Sequence, residues 1–161
     1  MPAVSEQFKT YHDFASASLQ DIYGERLDAA QQFVCNSMQS GVWINQQSSF
    51  FWLPLPWQAQ LSPINAIASG DFDADGKIEL ILAQNHFSNW IETGLWRGTP
   101  GTHLEWNGSH FQTLTFPQSG IFLPNDTKAI ITLPNTQSTH ILAAQNQGPL
   151  LLFSSQPSNK Q

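Results

Sequence analysis

Asp71-Phe72-Asp73-Ala74-Asp75-Gly76-Lys77-Ile78-Glu79 places four of the chain's 12 acidic residues within nine positions. Carboxylates at steps of two, then a glycine, then a fourth acid, repel one another in a folded turn unless a cation sits between them. A hard divalent ion such as Ca²⁺ takes about six to eight oxygens at about 2.3–2.6 Å, and this spacing supplies most of them. The pattern predicts Asp71, Asp73 and Asp75 pointing inward from alternate positions of a tight loop, with Gly76 taking the left-handed backbone that turns the chain. The main-chain carbonyl of Lys77 and the side chain of Glu79 are expected to close the shell. The competing reading is an acidic, solvated turn that holds no metal.

An EF-hand begins in the same way, but it needs a bidentate glutamate at its twelfth position and a helix on each side. Here the twelfth position is Leu82. The flanks, Ile64-Asn65-Ala66-Ile67-Ala68 and Ile78-Glu79-Leu80-Ile81-Leu82-Ala83, are short, apolar and rich in β-branched residues, which makes them strands. The acidic loop is therefore expected to join two β-strands, and that sets the fold class as mainly β.

The rest of the composition agrees with one folded domain. The chain has 161 residues, enough for a genuine core, with 40% hydrophobic residues that include 11 Phe and 6 Trp. Only 11% of residues are charged, and the net charge of −6 argues against nucleic acid and anionic membrane surfaces as partners. Its six Lys and Arg are scattered singly, so no basic patch forms. The single Cys35 excludes an internal disulfide and a cysteine zinc cluster. No window of about 18 apolar residues predicts membrane insertion, and Met1-Pro2-Ala3-Val4-Ser5-Glu6 lacks the apolar core of a signal peptide.

Three segments are expected: an N-terminal helical segment at 1–38, a β region at 39–157 and a tail at 158–161. Over residues 11–35, Phe14, Ala17 and Ile22, then Leu27, Ala30 and Val34, recur at helical intervals. Gly24 is expected to divide two short helices, and Asp13 to cap the first. From about Val42 the texture changes to short apolar runs broken by Asn, Gly, Pro and Ser.

The β region repeats itself. Val42-Trp43-Ile44-Asn45 followed by Phe50-Phe51-Trp52-Leu53 matches Leu104-Glu105-Trp106-Asn107 followed by Phe111-Gln112-Thr113-Leu114, and the two asparagines lie 62 positions apart. Independently, Ala66-Ile67 leads to Gln84-Asn85 as Ala129-Ile130 leads to Gln145-Asn146, with the terminal asparagines 61 apart. Agreement of two markers on one period indicates propeller blades or a related array. In the second copy the acidic loop has become Leu133-Pro134-Asn135-Thr136-Gln137-Ser138-Thr139, with every carboxylate gone. A neutral sequence thus suffices to turn the chain, which favours a cation-binding role for the acidic copy and predicts a single site.

Asn107-Gly108 predicts a two-residue hairpin turn that sets Glu105 opposite His110 as a cross-strand polar pair. Residues 86–102 read as an inserted loop carrying Trp90 and Trp96, the tryptophans best placed to meet a ligand.

The run from Ala66 through Asp71-Phe72-Asp73-Ala74-Asp75-Gly76-Lys77-Ile78-Glu79 to Leu82 resembles the FG-GAP/VCBS-type repeat, the calcium-loop β-propeller blades of integrin-like and bacterial cell-surface proteins. Asn85, the Leu-x-Trp-Asn-Gly-x-x-Phe hairpin at 104–111 and the approach at 55–63 are also similar to that family. The resemblance covers residues 40–153, and its specific part is the loop. Glu79 stands where the family usually has Asp, and Gln84 where Gly is commoner. The resemblance implies a partial β-propeller of two to three blades of antiparallel strands with short N-terminal helices. It also implies a structural Ca²⁺ and an extracellular or cell-surface setting. Family propellers usually close with six to eight blades, so the alternatives are self-association, a place within a larger propeller, or a compact non-propeller arrangement capped by the N-terminal helices.

Three functions follow, in order. The first is a non-enzymatic, calcium-stabilised module for protein or surface interaction. The second is a carbohydrate-binding module using the loop tryptophans, and the third a metal-dependent hydrolase. No nucleophile elbow, phosphate-cradling loop or His-Glu-x-x-His helix occurs in the sequence, and the five histidines are dispersed.

Overall fold

The computed structural model describes residues 2–88, 91–134 and 138–155. They fall into two compact units, residues 1–38 and 39–161.

The first unit holds three one- to two-turn helices, α1 (Pro2–Gln7), α2 (Tyr11–Ser16) and α3 (Leu19–Tyr23), and a 3₁₀ turn over Gly24–Leu27. The cap of α2 is Thr10, whose hydroxyl accepts the Asp13 amide at 3.1 Å, so the expectation of Asp13 as cap is corrected by three positions. Asp13 lies in the first turn, where a carboxylate complements the helix dipole. The break between α2 and α3 falls at extended Ala17, because Ser18 and Asp21 form a reciprocal capping box that starts a new helix there. Gly24 (φ 54°) ends α3. The helix expected to continue to residue 35 stops at Leu27. Beyond it Phe33 and Val34 are 85% and 81% exposed, and a short helix with no packed apolar face is not stable in water.

Among the described residues, the second unit has nine strands in three antiparallel sheets. The first sheet is the hairpin β1 (Gly41–Gln46) and β2 (Ser49–Pro54). A four-stranded meander of β3 (Ala66–Gly70), β4 (Glu79–Ala83), β5 (Thr102–Trp106) and β6 (Phe111–Leu114) forms the second. After the one-turn helix α4 (Phe116–Ser119), the third sheet runs β7 (Thr127–Pro134), β8 (Thr139–Gln145) and β9 (Leu151–Ser154). The repeat markers land on equivalent places: Ala-Ile lies in β3 and β7, Gln-Asn at or just past the ends of β4 and β8, and the Trp-bearing hairpins are β1–β2 and β5–β6. The fold is mainly β and consistent with a partial propeller, with a complete four-stranded sheet between a two-stranded and a three-stranded one.

Two cores flank the second sheet, and β4 belongs to both. Ile81 and Ala83 pack with Ala68, Phe72, Ile130, Ile141 and Ala143 towards the third sheet. Leu80 and Leu82 pack with Leu55, Ala59, Leu104 and Phe111 on the other side, where Val42 and Leu53 of the first sheet also contribute. All five residues of β4 are buried, as expected for a central strand covered on both faces. The period of two puts Glu79 on the same face as Ile81 and Ala83, and Glu79 is buried there at 2% exposure.

The hairpin after β5 differs from expectation. Trp106 pairs with Phe111 and Glu105 with Gln112, so four residues form the connection and Glu105 is not opposite His110. The Asn107 side-chain oxygen accepts the amides of Ser109 and His110, each at 3.0 Å, and this bonding favours the wider turn over a two-residue one.

Candidate metal centre

The acidic loop closes the β3–β4 hairpin, whose last register pair is Gly70 with Glu79. Two left-handed residues, Ala74 (φ 61°) and Gly76 (φ 83°), wind it. The wound backbone turns its amides inward: Asp71 accepts from the amides of Asp75 (3.1 Å) and Gly76 (2.9 Å), and Asp73 also accepts from that of Asp75 (3.1 Å). These bonds pull side chains from the start of the loop over its centre. Carboxylate oxygens of Asp71, Asp73 and Glu79 then lie within 4.8 Å of one another, the first exposed, the second half-buried and the third buried.

Glu79 reaches the site from the first position of β4. One oxygen accepts the Phe72 amide at 2.7 Å, and the other lies 3.1 Å from Nε2 of His103 on β5. Among the described residues no Lys or Arg pairs with it. Directly across the ladder from Glu79 stands Glu105, a like-charge juxtaposition that is unfavourable unless cations intervene.

Lys77 supplies one such cation. Its ammonium lies 2.6 Å from Asp75 Oδ2 and 3.4 Å from Glu105 Oε1. The Asp75 carboxylate beside it raises the lysine's pKa and Glu105 adds to this, against a smaller opposing effect of burial. Asp75 Oδ1 also accepts the Lys77 amide at 3.0 Å. The five residues expected as ligands therefore divide. Asp71, Asp73 and Glu79 converge, while Asp75 turns to Lys77, whose side chain is engaged rather than idle.

The donor set is three carboxylates without a thiolate, which suits a hard cation of the Ca²⁺ or Mg²⁺ type. A buried carboxylate without a lysine or arginine partner, beside two further carboxylates, is the arrangement a divalent ion would relieve. The residues fit such an ion, with Asp71, Asp73 and Glu79 as its first protein ligands.

The remaining sites of interest lie apart from this centre. In the second repeat Pro134 pairs with Thr139 across the corresponding turn, and 135–137 lie outside the described residues. Trp90 also lies outside them. Trp96 is 43% exposed and is tied to His86 by two backbone hydrogen bonds of 2.9 and 3.0 Å. That bridge brings the loop to a polar group the sequence gave no sign of. Asp126, 1% exposed, accepts from Ser88 Oγ at 3.1 Å and lies 2.7 Å from the Lys128 ammonium, and Lys128 also contacts His86 Nδ1 at 3.0 Å. Burial works against the Asp126 charge, yet Lys128, the Phe87 amide and the Ser88 hydroxyl together hold its carboxyl below the ordinary range.

His103 was likewise hidden in the sequence, since it lies 24 positions from Glu79 and only the β4–β5 register joins them. An acid at the first position of a fully apolar strand was the available signal for a buried carboxylate. No helix among the described residues is long and apolar enough to cross a membrane. No family model, curated protein or solved structure matches this chain.

Proposed function

We propose that this chain is a non-enzymatic, calcium-stabilised interaction module of the FG-GAP/VCBS type. The observation that carries the reading is the convergence of Asp71, Asp73 and buried Glu79 within 4.8 Å at the mouth of one hairpin. A bound Ca²⁺ would tie the start of the loop to the first residue of β4, and so fasten a strand that takes part in both cores. Its role would be structural, and the exposed loops would meet the partner.

The test is thermal unfolding and calorimetric titration with Ca²⁺ and with chelator. Ion at about a hundred times its dissociation constant adds about 2.7 kcal/mol to stability, a rise of about 5–15 °C for a domain of this size. Asp73→Asn is expected to remove most of that rise while leaving the fold intact in chelator. An unchanged melting temperature and no calcium heat in the wild-type protein would refute the reading.

A further inference from the structure

We infer that the cavity between the second and third sheets binds a small apolar molecule carrying a hydrogen-bond-donating hydroxyl group. The space measures about 540 Å³, within the range of small-molecule sites. Its walls include Ile81, Ile121 and Ile141, each no more than 6% exposed. Facing sheets normally close such a gap with side chains, because protein interiors pack like organic crystals. Here they leave a space that a small apolar body would fill.

The polar end of the cavity gives the chemistry of the ligand's head. Among the described residues Asp73 and Glu79 line it and no Lys or Arg does, so this end accepts hydrogen bonds and repels an anion. His103 lines the same end, is more than nine-tenths buried, and among the described residues has no hydrogen-bond partner on either ring nitrogen, although Nε2 lies 3.1 Å from Glu79. A buried polar group without a partner is costly, and a donor head entering beside Glu79 would supply one to this cluster. This inference goes beyond the calcium reading and does not require the ion.

The test is calorimetric titration with 2-naphthol, 2-methoxynaphthalene and 2-naphthoate in chelator. The naphthol is expected to bind. Loss of one hydrogen bond should weaken the methyl ether about fivefold, and charge repulsion should weaken the naphthoate about tenfold or more. Leu152, 61% exposed, stands at the rim of the cavity. Leu152→Trp should obstruct entry and weaken naphthol binding about tenfold, whereas Leu150→Trp, at a comparably exposed position outside the lining, should leave it unchanged. No naphthol binding, equal binding of the three probes, or full binding by Leu152→Trp would each overturn the inference. Because the titration is run in chelator, a failure of calcium binding leaves its expected outcome in place.

Discussion

Lys77 sits within the acidic loop yet spends its charge on Asp75 and Glu105. That ammonium neutralises the loop from within and competes with an incoming cation for Asp75. Lys77→Met should therefore raise calcium affinity, by up to about fivefold for the loss of one partly exposed ion pair. Calorimetry in low salt would measure it, and an affinity that falls would show that the lysine organises the loop instead. Asp126 makes a different prediction. Its folded pKa lies below the ordinary 3.8, so its contribution to stability is fully present above that value and is lost as pH falls through the lower, folded one. Asp126→Asn should cost about 1–3 kcal/mol at neutral pH and flatten the acid limb of the stability profile, as read by urea unfolding between pH 2 and 7. The identities of both acids were plain in the sequence. Their fates were not, because Asp75 was assigned by spacing alone, and Asp126 acquires its partners from a loop about 40 positions away.

At the level of the element, β4 shows why strands were easier to read than helices. Its run of Glu-Leu-Ile-Leu-Ala carries no alternation, and the structure explains this by covering both faces. Leu82, fully buried, should cost about 2–5 kcal/mol when cut to Ala. Its register partner Ile67, 53% exposed, should cost no more than about 0.5 kcal/mol. Denaturant unfolding of the two variants separates them, and similar losses would mean that β4 is not the shared wall of two cores. The helices were less legible for the opposite reason: α2 and α3 bury no residue, so local caps decide their limits. Periodicity alone places the first cap at Asp13, whereas the Thr10 and Ser18 hydroxyls set the starts of α2 and α3. Turn chemistry caused the error at Asn107, where a side-chain oxygen captures two amides and lengthens a connection that Asn-Gly alone predicts to be tight.

Across the whole molecule, the 61–62-residue period anticipated the arrangement of sheets, since both of its markers fall on equivalent strands. What a period does not disclose is how a loop at one end is coupled to the rest. The structure gives a route. The candidate site holds Glu79, Glu79 begins β4, and β4 packs towards β7 and β8 through Ile81 and Ala83 and towards β5 through Leu80 and Leu82. An ion that fixes Glu79 should thus slow local opening of strands that never touch it. Hydrogen exchange with and without Ca²⁺ should show protection rising in β3 and β4, and also in β5 and β8, with little change at the exposed Asn107–His110 turn. If the gain stayed within residues 71–79, the ion would be a clip on one hairpin and the two cores would stand without it. If it reached β5 and β8, the buried glutamate would be the point through which a surface loop sets the stability of two sheets.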